Sequence, residues 1–350
     1  MTIRAKLYGE ITWAPMEDMM QFEVAGLGNA LVDALVQVDD DSILEELGLT
    51  KGTMHPVDHA RWTEVYDRVK GHGVEIHPGG SCANTVATLA MLGSSSILCG
   101  QVGEDDFGRT YAGQMIDICG GHSIRFSPNG NTGKCLSIIS TKDAERTLVT
   151  DLGAAVHLSG LKNFEDRIRG SKLLHVTGYL FLGGPMAQVA WDAMDLAKEL
   201  NIPISVDVAD PFVVSAGRDE MWRALKEYAD IAFLNEEEAH ALTGLRGNEA
   251  VEAVGEVVDI AVVKLGKSGS LIRTDGKTWS VGIHATNAID TTGAGDTYAA
   301  GYLHGWLQGW NPQKAGDLGA RLASLTVSQV GAVCRDSAEV SRILLAMEAT

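Results

Sequence analysis

The hydrophobic pattern changes character along the chain. Beyond Thr150, short and almost uninterrupted apolar runs, "KLLHVTGYL", "IPISVDVAD", "DIAFLNEEEAHALTG" and "DIAVVKLGKSGSLIRT", alternate with amphipathic stretches of helical length such as "AQVAWDAMDLAKEL" and "MWRALKEY". Strands that are apolar on both faces and separated by helices belong to a parallel sheet covered on both sides. Nearer the start, Phe22 to Val38, "FEVAGLGNALVDALVQV", reads as the first strand, and Thr53 to Lys70 as a polar amphipathic stretch. "VEIHPGGSCANTVATLAMLG" reads as a strand, a Gly-Gly turn and a helix from about Ala83 to Leu92, and "SSILCGQVGEDDFG" as a further strand and helix entry. "KCLSIISTKDAERTLVT" alternates as a β-hairpin with "TKDAE" at its turn. The pattern predicts a doubly wound α/β fold with a mostly parallel sheet, whose ligands lie at the carboxyl ends of the strands.

Charge and composition narrow the function. No apolar run is long enough to cross a bilayer, which sets a membrane role aside. A formal net charge of −18 offers no basic stripe for a nucleic acid. An anionic ligand must then be held by local backbone N–H groups and a few cations. The five cysteines, Cys82, Cys99, Cys119, Cys135 and Cys334, are widely spaced and odd in number, which reads as reduced thiols in the cytoplasm. Residues 1–21 carry Glu10, Glu17 and Asp18 where a signal peptide needs an apolar core, so they read as an N-terminal extension before a domain over 22–350.

The segment with the most chemistry is "IDTTGAGDTYAAGYLHGW", Ile289 to Trp306, a glycine-rich turn running into a helix that the pattern starts near Asp296. The first turn of a helix leaves N–H groups unpaired at the positive end of its dipole, so Gly293, Ala294 and Gly295 suit a phosphate oxygen. A lone G-x-G-D also suits a plain turn with Asp296 as an N-cap. It is neither a Walker loop nor a dinucleotide fingerprint. Asn235 and Glu238 have the spacing of a capping box as well as that of a polar pair at a strand end.

"HPGGSCANT", "NEEEA", "VKLGKSGS" and "DTTGAGDTYAAG" occur in this order, and together they resemble the PfkB, or ribokinase-like, family of carbohydrate and nucleoside kinases. The resemblance runs from about Phe22 to Arg335. "GLGNALVD", "TGKC" and "RTLVTDLGAA" are most similar to adenosine kinases and their bacterial relatives. It implies a ribokinase-like α/β domain with a small β lid from about 32–78 and 133–151, using ATP and Mg2+, with K+ as a further ion. It implies Asp296 as catalytic base beside the Gly293–Ala294–Gly295 anion hole, with Arg146 closing over the phosphates. Asn29, Asp33, Gly79, Gly80 and Asn84 match the residues that hold sugar hydroxyls, while Asn235, Lys264, Gly266 and Gly269 fall where ATP lies. Lys264 stands where many relatives have Thr or Ser. Glu238 is placed to position Mg2+ through water, and Asp290 with Thr292 in the monovalent-cation loop.

The implied reaction is phosphorylation of the 5′-hydroxyl of a nucleoside, adenosine foremost, with a free sugar such as ribose or fructose as the other acceptor. Tyr179, Leu180 and Phe181 in "GYLFLGG" are candidates to stack on a base. The partner is a small molecule, and the enzyme is a monomer or homodimer. Two readings outside kinase chemistry carry weight: the missing G-x-G-x-x-G argues against a nicotinamide oxidoreductase, and the intact Asp296 and its glycines argue against an inactive ligand sensor.

Overall fold

The computed structural model describes residues 22–349 apart from 144, 163 and 335, so the N-terminal extension expected over 1–21 lies outside the described residues. The strands are β1 (Phe22–Leu27), β2 (Leu31–Val38), β3 (Met54–Pro56), β4 (Glu75–Gly79), β5 (Ser96–Gly103), β6 (Ser123–Ser127), β7 (Gly133–Ser140) and β8 (Arg146–Asp151). They continue with β9 (Ser171–Thr177), β10 (Ile204–Asp207), β11 (Ile231–Asn235), β12 (Ile260–Lys264), β13 (Ser270–Thr274) and β14 (Lys277–Val281). A large sheet has the order β14-β13-β12-β11-β10-β9-β1-β5-β6, and a small one β3-β8-β7-β2-β4. From β12 to β6 neighbours in the large sheet run parallel, while β13 and β14 close one edge antiparallel.

Side-chain alternation explains why both faces are covered. Ala25, Leu27, Leu174, Val176, Val206, Leu234 and Val263 face one layer of helices, which includes Gly184–Glu199. Their neighbours Val24, Leu173, Ile231, Phe233 and Val262 face the helix Ala294–Leu307 on the other side. Among the described residues no helix is long and apolar enough to cross a membrane.

The chain leaves β1 for β5 and β6 on one side, and returns through β9 to β12 on the other. The strand order therefore reverses beside β1, and a crevice opens at the carboxyl ends of β1 and β9. The stretch expected as one strand over Phe22 to Val38 divides here: β1 belongs to the large sheet and β2 to the small one. An apolar run reports burial and not which sheet buries it, so the break at Gly28 to Ala30 carries no hydrophobic signal. Gly28 passes so close to Cys82 that a Cβ would overlap that side chain.

The polar stretch from Thr53 resolves into β3 and the helix His59–Val69, whose start is capped by Asp58 accepting from the Arg61 N–H at 2.8 Å. That helix covers the outer face of the small sheet, where Ala34, Val36, Leu136, Ile138 and Val149 pack with Trp62 and Val65. The hairpin of β7 and β8 forms as its alternation predicts, with Cys135 opposite Thr150 and Ile139 opposite Arg146. Leu31, Asp33, Leu35, Cys135, Ser137, Ile139, Arg146 and Leu148 consequently share the inner face, which looks onto the crevice.

One contact fixes how the crevice is framed. Helix Ala294–Leu307 crosses helix Pro312–Val327 at Gly301, where a Cβ would lie 2.7 Å from Gly319 Cα. Gly301→Val should push the two helices apart and lower unfolding stability by about 1–3 kcal/mol, the usual range for overpacking. Urea denaturation checks this, and a wild-type midpoint would mean that the crossing tolerates a side chain.

Candidate active site

Two helices begin at the crevice side by side. Ser81–Met91 follows Gly79 and Gly80, and Ala294–Leu307 follows Gly293. Each start needs a glycine for a definite reason. Gly80 has φ +96° with the Asn29 carbonyl where a Cβ would go, and Gly293 has φ +71° against the Ala332 carbonyl. The second helix starts at Ala294, two residues earlier than its pattern suggests, with Gly293 as N-cap. Asp296 is thus in the first turn and is not the N-cap.

The Asp296 carboxylate instead bridges the helices. Ser81 Oγ donates to Oδ1 at 2.7 Å and Asn84 Nδ2 to Oδ2 at 2.8 Å. Burial pushes the Asp296 carboxyl up to about 6, helped by the nearby Asp207 carboxylate and opposed by Asn84, Ser81 and Lys264. A partly buried carboxylate poised there accepts a proton near neutral pH.

Asp33 faces it from the small sheet, its carboxylate filling the space that Gly79 leaves without a side chain. Burial raises Asp33 to about 7, with the charge on Asp296 adding and that on Arg146 subtracting. The sequence-predicted residues Asn29, Asp33, Gly79, Gly80, Asn84 and Asp296 therefore gather around one opening. Asn29 Oδ1 is buried there without a hydrogen-bond partner.

Arg146 is brought to the same opening but is engaged differently from the expectation. It pairs with Asp290, which also accepts the Thr292 and Gly331 N–H groups at 2.8 Å each. Burial lowers the Arg146 guanidinium to about 10, with Asp33 supporting its charge. Asp290 and Thr292 therefore tie their loop to residue 331 and to β8.

The far side of the crevice is lined by the ends of β10, β11 and β12. Asn235 and Glu238 form a complete capping box: the Asn235 N–H donates to Glu238 Oε2 at 2.7 Å and the Glu238 N–H to Asn235 Oδ1 at 2.8 Å. Glu238 is only 2% exposed, and burial raises its carboxyl while Lys264 opposes. Lys264 Nζ donates to Asp207 Oδ2 at 3.1 Å. Gly266 and Gly269, at φ +55° and +87°, make the tight turn from β12 to β13 at the same end.

Three residues of the site escaped sequence reasoning. Ser81 lies inside a motif that was read for its glycines. Asp207 is the polar residue that ends the apolar run "ISVD", the position where α/β sheets carry their ligand contacts. Ser137, 3% exposed on the inner face of β7, has a hydroxyl without a partner; alternation places it, but nothing in the sequence sets it apart. The stacking expectation is corrected in part. Leu180 and Phe181 are core residues at 1% and 6% exposure, and Phe181 packs on Trp191. Tyr179 alone of the three is partly exposed, with its hydroxyl 3.4 Å from Asp210.

The raised Asp33 carboxyl makes a stability prediction. A folded value near 7 against about 3.9 unfolded means its contribution is fully present below about pH 3.9 and lost as pH rises through 7. Asp33→Asn should therefore raise the Tm of the ligand-free protein above pH 7, with the gain shrinking toward pH 4. A gain independent of pH, or a loss at pH 8, would contradict the assignment.

The comparisons with known proteins agree with this geometry. A family model described as pfkB family carbohydrate kinase matches residues 52–337. A 5-dehydro-2-deoxygluconokinase of Geobacillus thermodenitrificans is 29% identical over 270 residues, 71% of this chain and 78% of that one. An adenosine kinase of Saccharomyces cerevisiae is 29% identical over 271 residues, 72% of this chain and 78% of the relative. The solved adenosine kinase from Sinorhizobium meliloti superposes with a TM-score of 0.82 at 27% identity, covering 94% of this chain and 100% of that one. Kinases of this family use ATP with a divalent metal. The mostly parallel sheet, the paired helix starts at its reversal point and the match over most of the chain lead to one conclusion: the protein belongs to the pfkB family of carbohydrate kinases and is a nucleoside or sugar kinase.

Proposed function

We propose that the enzyme transfers the γ-phosphoryl group of ATP to the 5′-hydroxyl of a nucleoside, adenosine foremost, giving AMP and ADP. The observation that carries the nucleoside reading is the inner face of the small sheet. There Leu31, Leu35, Ile139 and Leu148 share with Asp33 the face that looks onto the crevice, beside its cross-strand partners His77 and Cys135, and this largely apolar lining suits a flat ring better than a polyol. Tyr179 and the exposed Phe212 add aromatic rings beyond β9 and β10. A free sugar, such as ribose or fructose, is the second reading. It is favoured by the equal closeness of the gluconokinase relative and by the unpartnered Asn29 Oδ1 and Ser137 Oγ, which suit additional hydroxyls.

In this reading Asn29, Asp33, Gly79, Gly80 and Asn84 hold the acceptor hydroxyls, with its reacting oxygen beside Asp296. That oxygen attacks the γ-phosphorus, the bond to the β,γ-bridging oxygen breaks, and its electron pair leaves on ADP while Asp296 takes the proton. The N–H groups of the helix start at Gly293, Ala294 and Gly295 face the charge on the transferring group. Asn235, Lys264, Gly266 and Gly269 line the ATP side. The small sheet serves as a lid over 32–78 and 133–151, and Arg146 exchanges Asp290 for phosphate as it closes.

Glu238, whose carboxyl is raised by burial and by the charges of Asp207 and Asp210, forms with them a group of hard oxygen donors. Among the described residues no cluster of three metal-type side chains is tight enough to cage an ion. These residues therefore fit Mg2+ held through water near Glu238, where the ion would neutralise phosphate charge. The Asp290 carboxylate is engaged by the Thr292 and Gly331 N–H groups and by Arg146, and no step uses K+. The helix His59–Val69 covers the outer face of the small sheet, which supports a monomer over a homodimer paired through that face, and the free thiols support a cytoplasmic setting.

Two experiments test this. Asp296→Asn should leave the fold intact and lower kcat by about 10²-fold or more, and wild-type kcat/KM should fall below about pH 6 as Asp296 protonates. A variant with near-normal turnover would remove Asp296 from its role. Cutting adenosine down to ribose should lower kcat/KM by about 10³-fold, since the lost base no longer fills its apolar pocket. Equal values, or activity on hexoses alone, would leave a sugar kinase.

A further inference from the structure

Lys264 occupies an electrostatically odd place. It ends β12, and its side chain passes the end of β11 to reach Asp207 on β10. Its Nζ also lies against Gly295: a Cβ built there would sit 3.0 Å from the ammonium. A fixed cation is thus lodged at the N-terminal end of the Ala294–Leu307 helix, whose dipole is itself positive at that end. Two like features in contact are unfavourable unless an anion comes between or beside them. The carboxylates of Asp207, Glu238 and Asp296 raise the Lys264 ammonium and keep it charged. Its side chain remains 15% exposed, and Asp207 accepts only one of its three N–H donors through the hydrogen bond at 3.1 Å.

An ion pair kept solely for stability has no reason to lie here. Buried pairs repay little of their desolvation cost. This one sits beside the residue whose missing side chain lets the ammonium approach the backbone. We propose that Lys264 is a catalytic residue that contacts the γ-phosphoryl oxygens, and that Asp207 is the positioning residue that holds its ammonium at Gly295. The inference rests on the kinase reading and not on the identity of the acceptor. As the acceptor oxygen bonds to the γ-phosphorus and the bond to ADP breaks, the proton goes to Asp296 and the electron pair to the β-phosphate. Lys264 and the helix start then face the equatorial oxygens from the two sides of Gly295. The cation neither gains nor loses a proton; it is already in place when the charge moves.

The experiment uses the full chain with two substitutions. Lys264→Met keeps length without charge, and Lys264→Ala leaves room for an added amine. Lys264→Met should lower kcat by about 10²-fold while acceptor KM changes less than about three-fold. By calorimetry it should weaken binding of a non-hydrolysable ATP analogue by about ten-fold or more and of ADP by less than about three-fold. Propylammonium should restore part of the kcat of Lys264→Ala, which a purely structural role would not allow. If Lys264→Met fails to fold, the double variant Lys264→Met/Asp207→Asn removes both charges and carries the same binding test. Equal losses for the triphosphate and diphosphate ligands, or wild-type kcat in either variant, overturn the proposal. A wild-type enzyme that phosphorylates no acceptor would instead overturn the kinase reading, because the analogue binding is read without turnover.

Discussion

Asp296 sits in the first turn of one helix and takes both its side-chain hydrogen bonds from the first turn of another, so its place is set by the packing of two rods. Ser81 and Asn84 are fixed in turn by Gly80, which admits the Asn29 carbonyl, and Asn29 is the residue that carries the chain from the large sheet to the small one. Moving either helix start displaces the carboxylate, the N–H groups beside it and the residues Asn29, Gly80 and Asn84 together. The glycines at 301 and 319 matter for the same reason: they let the Asp296 helix seat deeply enough to meet its neighbour.

Charge is the second constraint. Asp33, Asp207, Glu238 and Asp296 share the crevice with Lys264 and Arg146, and three of the carboxyls are raised mainly by burial. A fold selected for stability alone has no use for such crowding, which marks the region as functional. In the proposed reading an arriving nucleoside triphosphate would add more negative charge, which the divalent ion that this family's kinases use with ATP, the helix start and the two cations would together offset. The pairing of Arg146 with Asp290 shows the same economy, since the arginine remains neutralised at a site where its own burial disfavours the charge.

Much of the scaffold was legible in the sequence because burial leaves a periodic trace. Apolar runs such as "IAFL" and "IAVV" became β11 and β12, and the alternation from Lys134 to Thr150 became the β7–β8 hairpin. The break at Gly28 was not legible, because both strands around it are apolar and periodicity does not say which sheet receives a strand. The site was legible where glycine spacing imposes it, at Gly79, Gly80, Gly293 and Gly295. It was illegible where it depends on contacts between distant segments: Asn84 and Asp296 are 212 positions apart, and Lys264 and Asp207 are 57 apart. Phe181 misled for a related reason, since an aromatic residue after a strand has the same local sequence in a core as in a ligand pocket.

The central claim is that Asp296, held between two helix starts, directs phosphate from ATP onto a nucleoside 5′-hydroxyl. The most direct measurement is 31P NMR of the purified enzyme with adenosine, ATP and Mg2+. The account predicts a 5′-phosphomonoester resonance growing in step with ADP, with no inorganic phosphate. ADP accompanied by inorganic phosphate alone, or an unchanged ATP spectrum, would contradict it.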